Sequence, residues 1–179
     1  RNPYYRLFVQ DLIPALAAWR PDLVGISVPT MGQFLAGLTA AYLLRQRGSR
    51  AHITLGGPHV TMLRDALGRV PAIFDLVDSA VVSAGERPLV ALASALGSGT
   101  PLNSVPNLIF RQGHTVAARP VEPGVPFATL PMPDFDGLPL DRYLAPEPVL
   151  PLLTARGCYY GKCAFCNVGY GLDEPWQEA

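Results

Sequence analysis

Short, continuous apolar runs alternate along the chain with longer stretches in which apolar residues recur every three or four positions. Leu7, Phe8, Leu12, Leu16 and Trp19 fall at helical spacing, with Pro14 inside the pattern and Pro21-Asp22 ending it. Leu23-Val24-Gly25-Ile26-Ser27-Val28 reads as a strand buried on both faces. Phe34 to Arg47 is an amphipathic helix that stops near Gly48. His52-Ile53-Thr54-Leu55 is the next strand, closed by Gly56-Gly57-Pro58, and Val60 to Leu67 reads as a short helix. Leu76 to Val82 is a third strand, and Pro88 to Leu96 a helix running into Gly97-Ser98-Gly99.

Strands alternating with helices at this pitch predict βα units, a parallel sheet and right-handed crossovers, with helices on both faces. The expected fold is α/β, a Rossmann-like doubly wound parallel sheet. The alternation opens on a helix, so a first strand is expected ahead of it. Beyond Gly99 the pattern changes. Val105–Phe110 and Thr115–Ala118 pair as a hairpin across Arg111-Gln112-Gly113-His114, and proline crowds residues 120–150, which reads as an extended connector. Val149 to Thr154 reads as a final strand that delivers a cysteine-rich loop. The predicted organisation is 1–98 as the sheet domain, 99–148 as connector with hairpin, and 149–179 as the start of a second domain cut short.

Composition narrows the function classes. The 179 residues carry 14 basic and 14 acidic side chains, so no charge argument favours nucleic acid or a membrane surface. No apolar run approaches the roughly 18 residues of a membrane span, and no signal peptide is visible. Three cysteines, an odd number and all clustered, argue against a secreted disulfide framework and for a reducing, cytoplasmic setting.

Three strand ends carry small or polar turns: Ser27-Val28-Pro29-Thr30, Gly56-Gly57-Pro58-His59 and Ser83-Ala84-Gly85-Glu86. In a parallel sheet all three share the carboxyl edge, where α/β folds bind ligands. Glycine lets backbone approach a bulky ligand there. Ser27, Thr30, Gly56, Gly57, His59, Gly85 and Glu86 are therefore candidate binding residues. Each corner is weak evidence alone, because glycine at a strand-to-helix corner often serves only the turn. His59, next to Pro58 at a helix start, reads better as a cap or surface residue. Glu86 suits helix capping at least as well as ligand contact. No G-x-G-x-x-G and no G-x-x-x-x-G-K-[ST] occurs, so neither a dinucleotide fingerprint nor a P-loop is present.

The cysteines are spaced C-x₄-C-x₂-C, at Cys158, Cys163 and Cys166. The thiolate is the metal-binding form, and Gly157 and Gly161 permit the turns that bring three sulfurs together. Phe165 places a ring beside the third. Three thiolates without a fourth suit an iron–sulfur cluster with one open coordination position. The competing readings are structural zinc, which prefers four ligands and would have to recruit His59 or His114, and inert core cysteines, which rarely bunch this way.

With these residues in place the chain resembles the cobalamin-binding-domain radical S-adenosylmethionine (SAM) enzymes. Residues 21–97 resemble the cobalamin domain through Pro21-Asp22-Leu23-Val24-Gly25-Ile26-Ser27, Leu55-Gly56-Gly57-Pro58-His59 and Gly85-Glu86. Residues 131–143 resemble the family connector, and Arg156-Gly157-Cys158 through Cys166 the cluster loop that opens the radical SAM (β/α) barrel. The resemblance implies a [4Fe–4S] cluster on Cys158, Cys163 and Cys166, with SAM on the fourth iron and Phe165 against its adenine. It further implies reductive cleavage of SAM to a 5′-deoxyadenosyl radical, cobalamin as methyl relay, and C-methylation of an unactivated carbon. A small-molecule or peptide substrate and an external one-electron reductant go with it; nucleic acid and membrane do not. The family's usual spacing is C-x₃-C-x₂-C, so this loop is one residue longer. No D-x-H-x-x-G occurs, and no axial cobalt ligand is assigned. The nearest rival within the class is another radical reaction; outside it stand a cobalamin-binding or vestigial module and a zinc-stabilised interaction domain. With so little of the barrel present, the 179 residues alone are expected to be inactive.

Overall fold

The computed structural model describes residues 4–144, 146–164 and 176–178. Helix α1 runs through Tyr5–Leu7, a π-helical turn at Phe8–Leu12, and Ile13–Trp19. The wide turn lies just ahead of Pro14, and the Ile13 N–H donates to Phe8 O, five residues back. Proline lacks an N–H and crowds the carbonyl four residues before it, so a wider turn there relieves both defects.

Strand β1 (Leu23–Ser27), helix α2 (Met31–Gln46), strand β2 (His52–Gly56), the short helices α3 (Pro58–Met62) and α4 (Arg64–Leu67), and strand β3 (Ser79–Val81) follow in order. Helix α5 (Glu86–Ser98) then leads to the hairpin β4 (Leu108–Gln112) and β5 (Thr115–Ala118). These five strands form one sheet in the order β1-β2-β3-β4-β5. The β1–β2 and β2–β3 pairings are parallel; β3–β4 and β4–β5 are antiparallel. The architecture is thus mixed α/β: a Rossmann-like parallel half extended by a hairpin that pairs directly with β3. The sheet does not stop at the end of α5, so the expectation of a purely parallel sheet is corrected. The hairpin joins along β3, and the continuous run Leu108, Ile109 and Phe110 is buried in the cores on the two faces.

Both faces carry helix, each read by alternate strand residues. Val24, Ile53, Leu55, Ala80 and Ile109 pack with residues of α1, α2, α3 and α4 in one core. Leu23, Val81, Leu108, Phe110 and Ala117 pack on the other face with Leu92 and Ala95 of α5. The β1→β2 and β2→β3 crossovers step in the same direction, which is why their helices share a face, while α5 lies on the second.

Several predicted elements differ: Val60–Leu67 falls in two short helices, and the first hairpin strand is Leu108–Gln112 rather than Val105–Phe110. The third strand is only Ser79–Val81, because the Leu76 and Val77 N–H groups turn back to Ile73 O and the ladder begins where the Asp78 N–H donates to Ile53 O. Residues 149–153 form no strand: Pro148 and Pro151 remove donors, and Val149, Leu150, Leu152 and Leu153 are exposed. Strand β6 is reduced to Ala155–Arg156, paired antiparallel with β7 (Gln177–Glu178).

Candidate functional site

The carboxyl ends of β1 and β2 lie in register, Ser27 opposite Gly56. Beyond them the chain segments stay tied: the Val28 N–H donates to Gly56 O at 2.8 Å, and the His59 N–H to Val28 O at 3.1 Å. Gly57 makes the turn with φ +99°, and a Cβ there would stand 3.0 Å from both Val28 N and Val28 O. Only glycine fits such a conformation beside fixed backbone. At the third corner Ser83 has φ 59°, and its N–H donates to Thr61 Oγ1 at 2.9 Å. A non-glycine residue held at positive φ marks a corner whose surroundings over-determine it.

These corners enclose a cavity of about 510 Å³. Its floor is the α5-side face of the parallel strands, Gly25, Ser27, Thr54, Gly56 and Val81, and its wall is Ser83, Gly85, Glu86 and Leu89. The floor is made of small side chains. Around the position a Gly25 Cβ would take there is no atom within 4 Å. A volume of this size, mostly apolar and edged by hydroxyls and a carboxylate, suits a bulky organic ligand.

The sequence candidates divide cleanly. Ser27, Gly56, Gly57, Gly85 and Glu86 line the cavity. Thr30 does not: it precedes α2 and its hydroxyl donates to Gln33 Oε1 at 3.0 Å. His59 does not either; its ring packs edge-on against Phe34, with centroids 5.8 Å apart. Gly25, Thr54, Val81, Ser83 and Leu89 join the lining without having been singled out.

A second set of contacts ties the cysteine loop to this corner. Arg156, on β6, donates from Nη2 to Glu86 Oε1 at 2.6 Å across 70 positions of sequence. Its guanidinium also lies 5.8 Å from the centroid of Phe127, a cation–π arrangement. The Phe127 N–H donates to Gln177 Oε1 at 2.7 Å, and Gln177 pairs opposite Arg156 in the β6–β7 ladder. The two ends of the loop are thus fastened to each other and to α5. Within the loop, Gly157 and Gly161 adopt φ 84° and 60°, and the Gly161 N–H donates to Cys158 Sγ at 3.3 Å. Cys158 and Cys163 are free and half-buried. Cys166 and Phe165 lie outside the described residues, and among those described no three metal-ligating side chains converge.

The donor set and the space fit the groups that the motif implies. Two cysteine thiols are free, one sulfur already accepts a backbone N–H of the kind that supports a ligating thiolate, and the cavity has an unfilled floor. Among the described residues no helix is long and apolar enough to cross a membrane.

No protein-family model matches the chain. Over 174 residues the sequence is 29% identical to the uncharacterized methyltransferase PH0819 of Pyrococcus horikoshii, covering 96% of this chain and 37% of the relative. This chain therefore spans well under half the length of that protein. Its fold is shared with the cobalamin-dependent S-adenosylmethionine radical enzyme OxsB: TM-score 0.72, 24% identity, 95% of this chain and 23% of OxsB. The radical S-adenosylmethionine methyltransferase TsrM from Kitasatospora setae, with cobalamin and a [4Fe-4S] cluster bound, aligns over 65% of this chain and 24% of its own, at 22% identity and TM-score 0.49.

Proposed function

We propose that this chain binds cobalamin at the carboxyl edge of its sheet and holds a [4Fe–4S] cluster on Cys158, Cys163 and Cys166, as part of a cobalamin-dependent radical SAM methyltransferase. The observation that carries this reading is the joining of two features that sequence keeps far apart. A glycine-floored cavity and a C-x₄-C-x₂-C loop meet through Arg156 and Glu86. The relative named a methyltransferase and the fold shared with OxsB support it.

Each residue then has a definite task. Gly25, Thr54 and Gly56 leave the floor low enough for a bulky ligand, and Ser27 and Ser83 offer hydroxyls at its rim. Gly57 makes the tight turn beside Val28 that forms the rim. The Gly161 N–H orients the Cys158 sulfur, and Gly157 and Gly161 supply the turns that bring the thiols to one side. Phe165 immediately precedes the third cysteine in sequence and would supply an aromatic ring for a planar ligand. A cluster on three thiolates supplies one-electron reduction of SAM at its open iron, and cobalamin supplies methyl transfer. C-methylation of an unactivated carbon, a small-molecule or peptide substrate and an external one-electron reductant complete the proposal.

The test has two independent arms. Anaerobic reconstitution with iron and sulfide is expected to give the broad brown absorbance of a thiolate-held cluster, lost in Cys158→Ala and Cys163→Ala. Titration with cobalamin is expected to change the corrinoid spectrum, and Gly25→Leu to weaken that change. Binding of one zinc per chain with no cluster overturns the first arm; an unchanged corrinoid spectrum overturns the second.

A further inference from the structure

The Glu86 carboxylate is used unevenly. Oε1 accepts the Arg156 guanidinium at 2.6 Å, whereas Oε2 is buried without a hydrogen-bond partner among the described residues. A buried acceptor without a partner is unfavourable, so Oε2 stands ready to accept a donor that a cavity ligand brings. Glu86 also lines the cavity, at the first position of α5. Its partner Arg156 stands two residues ahead of Cys158, a separation of at most about 7 Å along the chain. Arg156 is held on its remaining sides by the Phe127 ring and by β7. A shift of the Glu86 carboxylate must therefore move the guanidinium, and with it the start of the cysteine loop.

We propose that Glu86 and Arg156 are a positioning pair that couples occupancy of the strand-end cavity to the arrangement of the cysteine loop. A ligand in the cavity fixes the Glu86 carboxylate; Arg156 then fixes β6 and Cys158. This rests on the cavity being a corrinoid site, and it goes further by making that site control the accessibility of the thiols. Neither residue is a catalytic residue in this scheme, and the signature of the pair is a change at one site when the other is filled.

The experiment uses the metal-free protein and cyanocobalamin, whose cyanide ligand keeps the cobalt from capturing thiols directly. Saturation is established for each protein from the corrinoid spectrum. The rate of Cys158 alkylation by iodoacetamide is then followed by peptide mass spectrometry with and without cyanocobalamin. Coupling free energies of this kind correspond to about fivefold effects or more. Cyanocobalamin is expected to slow Cys158 alkylation about fivefold in the parent protein. In Arg156→Gln and Glu86→Gln at saturation the slowing shrinks below about twofold, and Arg156→Lys, which keeps the charge, recovers part of it. Far-ultraviolet circular dichroism checks that each variant is folded. If cyanocobalamin binds the parent and leaves alkylation unchanged, or if Arg156→Gln keeps the full protection, the coupling is wrong and the corrinoid site stands. If the parent gives no corrinoid spectral change, the corrinoid site fails and takes the coupling with it.

Discussion

Two glycines of the cavity make opposite demands, and substituting each by alanine separates them. Gly57 sits at φ +99°, and its added Cβ would meet Val28 N and Val28 O at 3.0 Å and Ser27 Oγ at 3.1 Å. The conformation alone costs an L-residue about 1–3 kcal/mol. The contacts are with backbone that is itself hydrogen-bonded, so they cannot be relieved by a rotamer change, and overpacking of that kind costs about 1–3 kcal/mol more. Gly57→Ala is therefore expected to lose about 2–6 kcal/mol, a large part of the roughly 5–15 kcal/mol of a typical domain. In urea, with a slope of about 2 kcal/mol per M, a loss near 3 kcal/mol moves the midpoint down by about 1.5 M. Gly25 has an ordinary φ and open space where its Cβ would be. Gly25→Ala removes the entropy penalty of a strand glycine and is expected to raise stability by about 0.5–1 kcal/mol. The assay is equilibrium urea unfolding of both variants beside the parent. A midpoint for Gly57→Ala within about 0.25 M of the parent, which is about 0.5 kcal/mol on that slope, would refute the account of a rigid, packed corner.

Three further expectations follow from the surrounding hydrogen bonds. Asn107, buried at φ 56°, accepts the Glu122 N–H at 2.6 Å and donates to Glu122 O at 3.2 Å, pinning the connector beside the third corner; Asn107→Ala should cost about 2–4 kcal/mol by urea unfolding. Asp78 Oδ2 pairs with Arg45 and accepts the Ile53 N–H at 2.6 Å, but its side chain is 40% exposed, which weakens the ion pair; Asp78→Ala should cost about 1–3 kcal/mol, mostly from the stranded N–H and guanidinium, read by thermal unfolding. His52 is held below the ordinary value of 6.5 first by burial, against the raising effect of Asp78 and with help from Arg45, while its Nε2 is hydrogen-bonded to Ser79 Oγ at 2.8 Å. The unfolded chain then binds a proton more readily than the folded one, so stability should fall as pH drops through 6.5 and below, and His52→Gln should flatten that dependence in urea midpoints measured across the range.

The parallel strands and their helices were legible because strands packed on helices are largely apolar; Ile53–Leu55 is buried throughout, whereas β1 buries Val24 and leaves Gly25 and Ser27 exposed, so it is not covered on both faces as expected. The hairpin's turn was legible for the same kind of reason, from Gly113 between two apolar runs. Its pairing with β3 was not, since register between distant strands is set by packing rather than by either segment. The strand expected over Val149–Thr154 does not form because Pro148 and Pro151 deny that apolar run the donors of a ladder. Arg156 could not be assigned to Glu86 from spacing at all: 70 positions separate them, and only the fold brings them to one corner.

The cavity floor is different, because its signal was present and went unused. In a strand covered on both sides, a glycine or hydroxyl residue inside the apolar run says that something other than a helix lies over that position. Gly25 interrupts β1 and Thr54 interrupts β2, and the two are direct partners in the parallel register. Each lies two residues before its corner, Ser27 and Gly56, hence on the same face as that corner residue. That step back along β1 and β2 gives Gly25 and Thr54, which line the floor together with Ser27, Gly56 and Val81. The same step separates Gly57 from Gly25 in function, one required by the turn and the other by the space above the sheet. On the cavity face of β1 and β2 the sequence therefore carries two rows in register, Ser27 with Gly56 and Gly25 with Thr54, and the second row opens the space above the sheet.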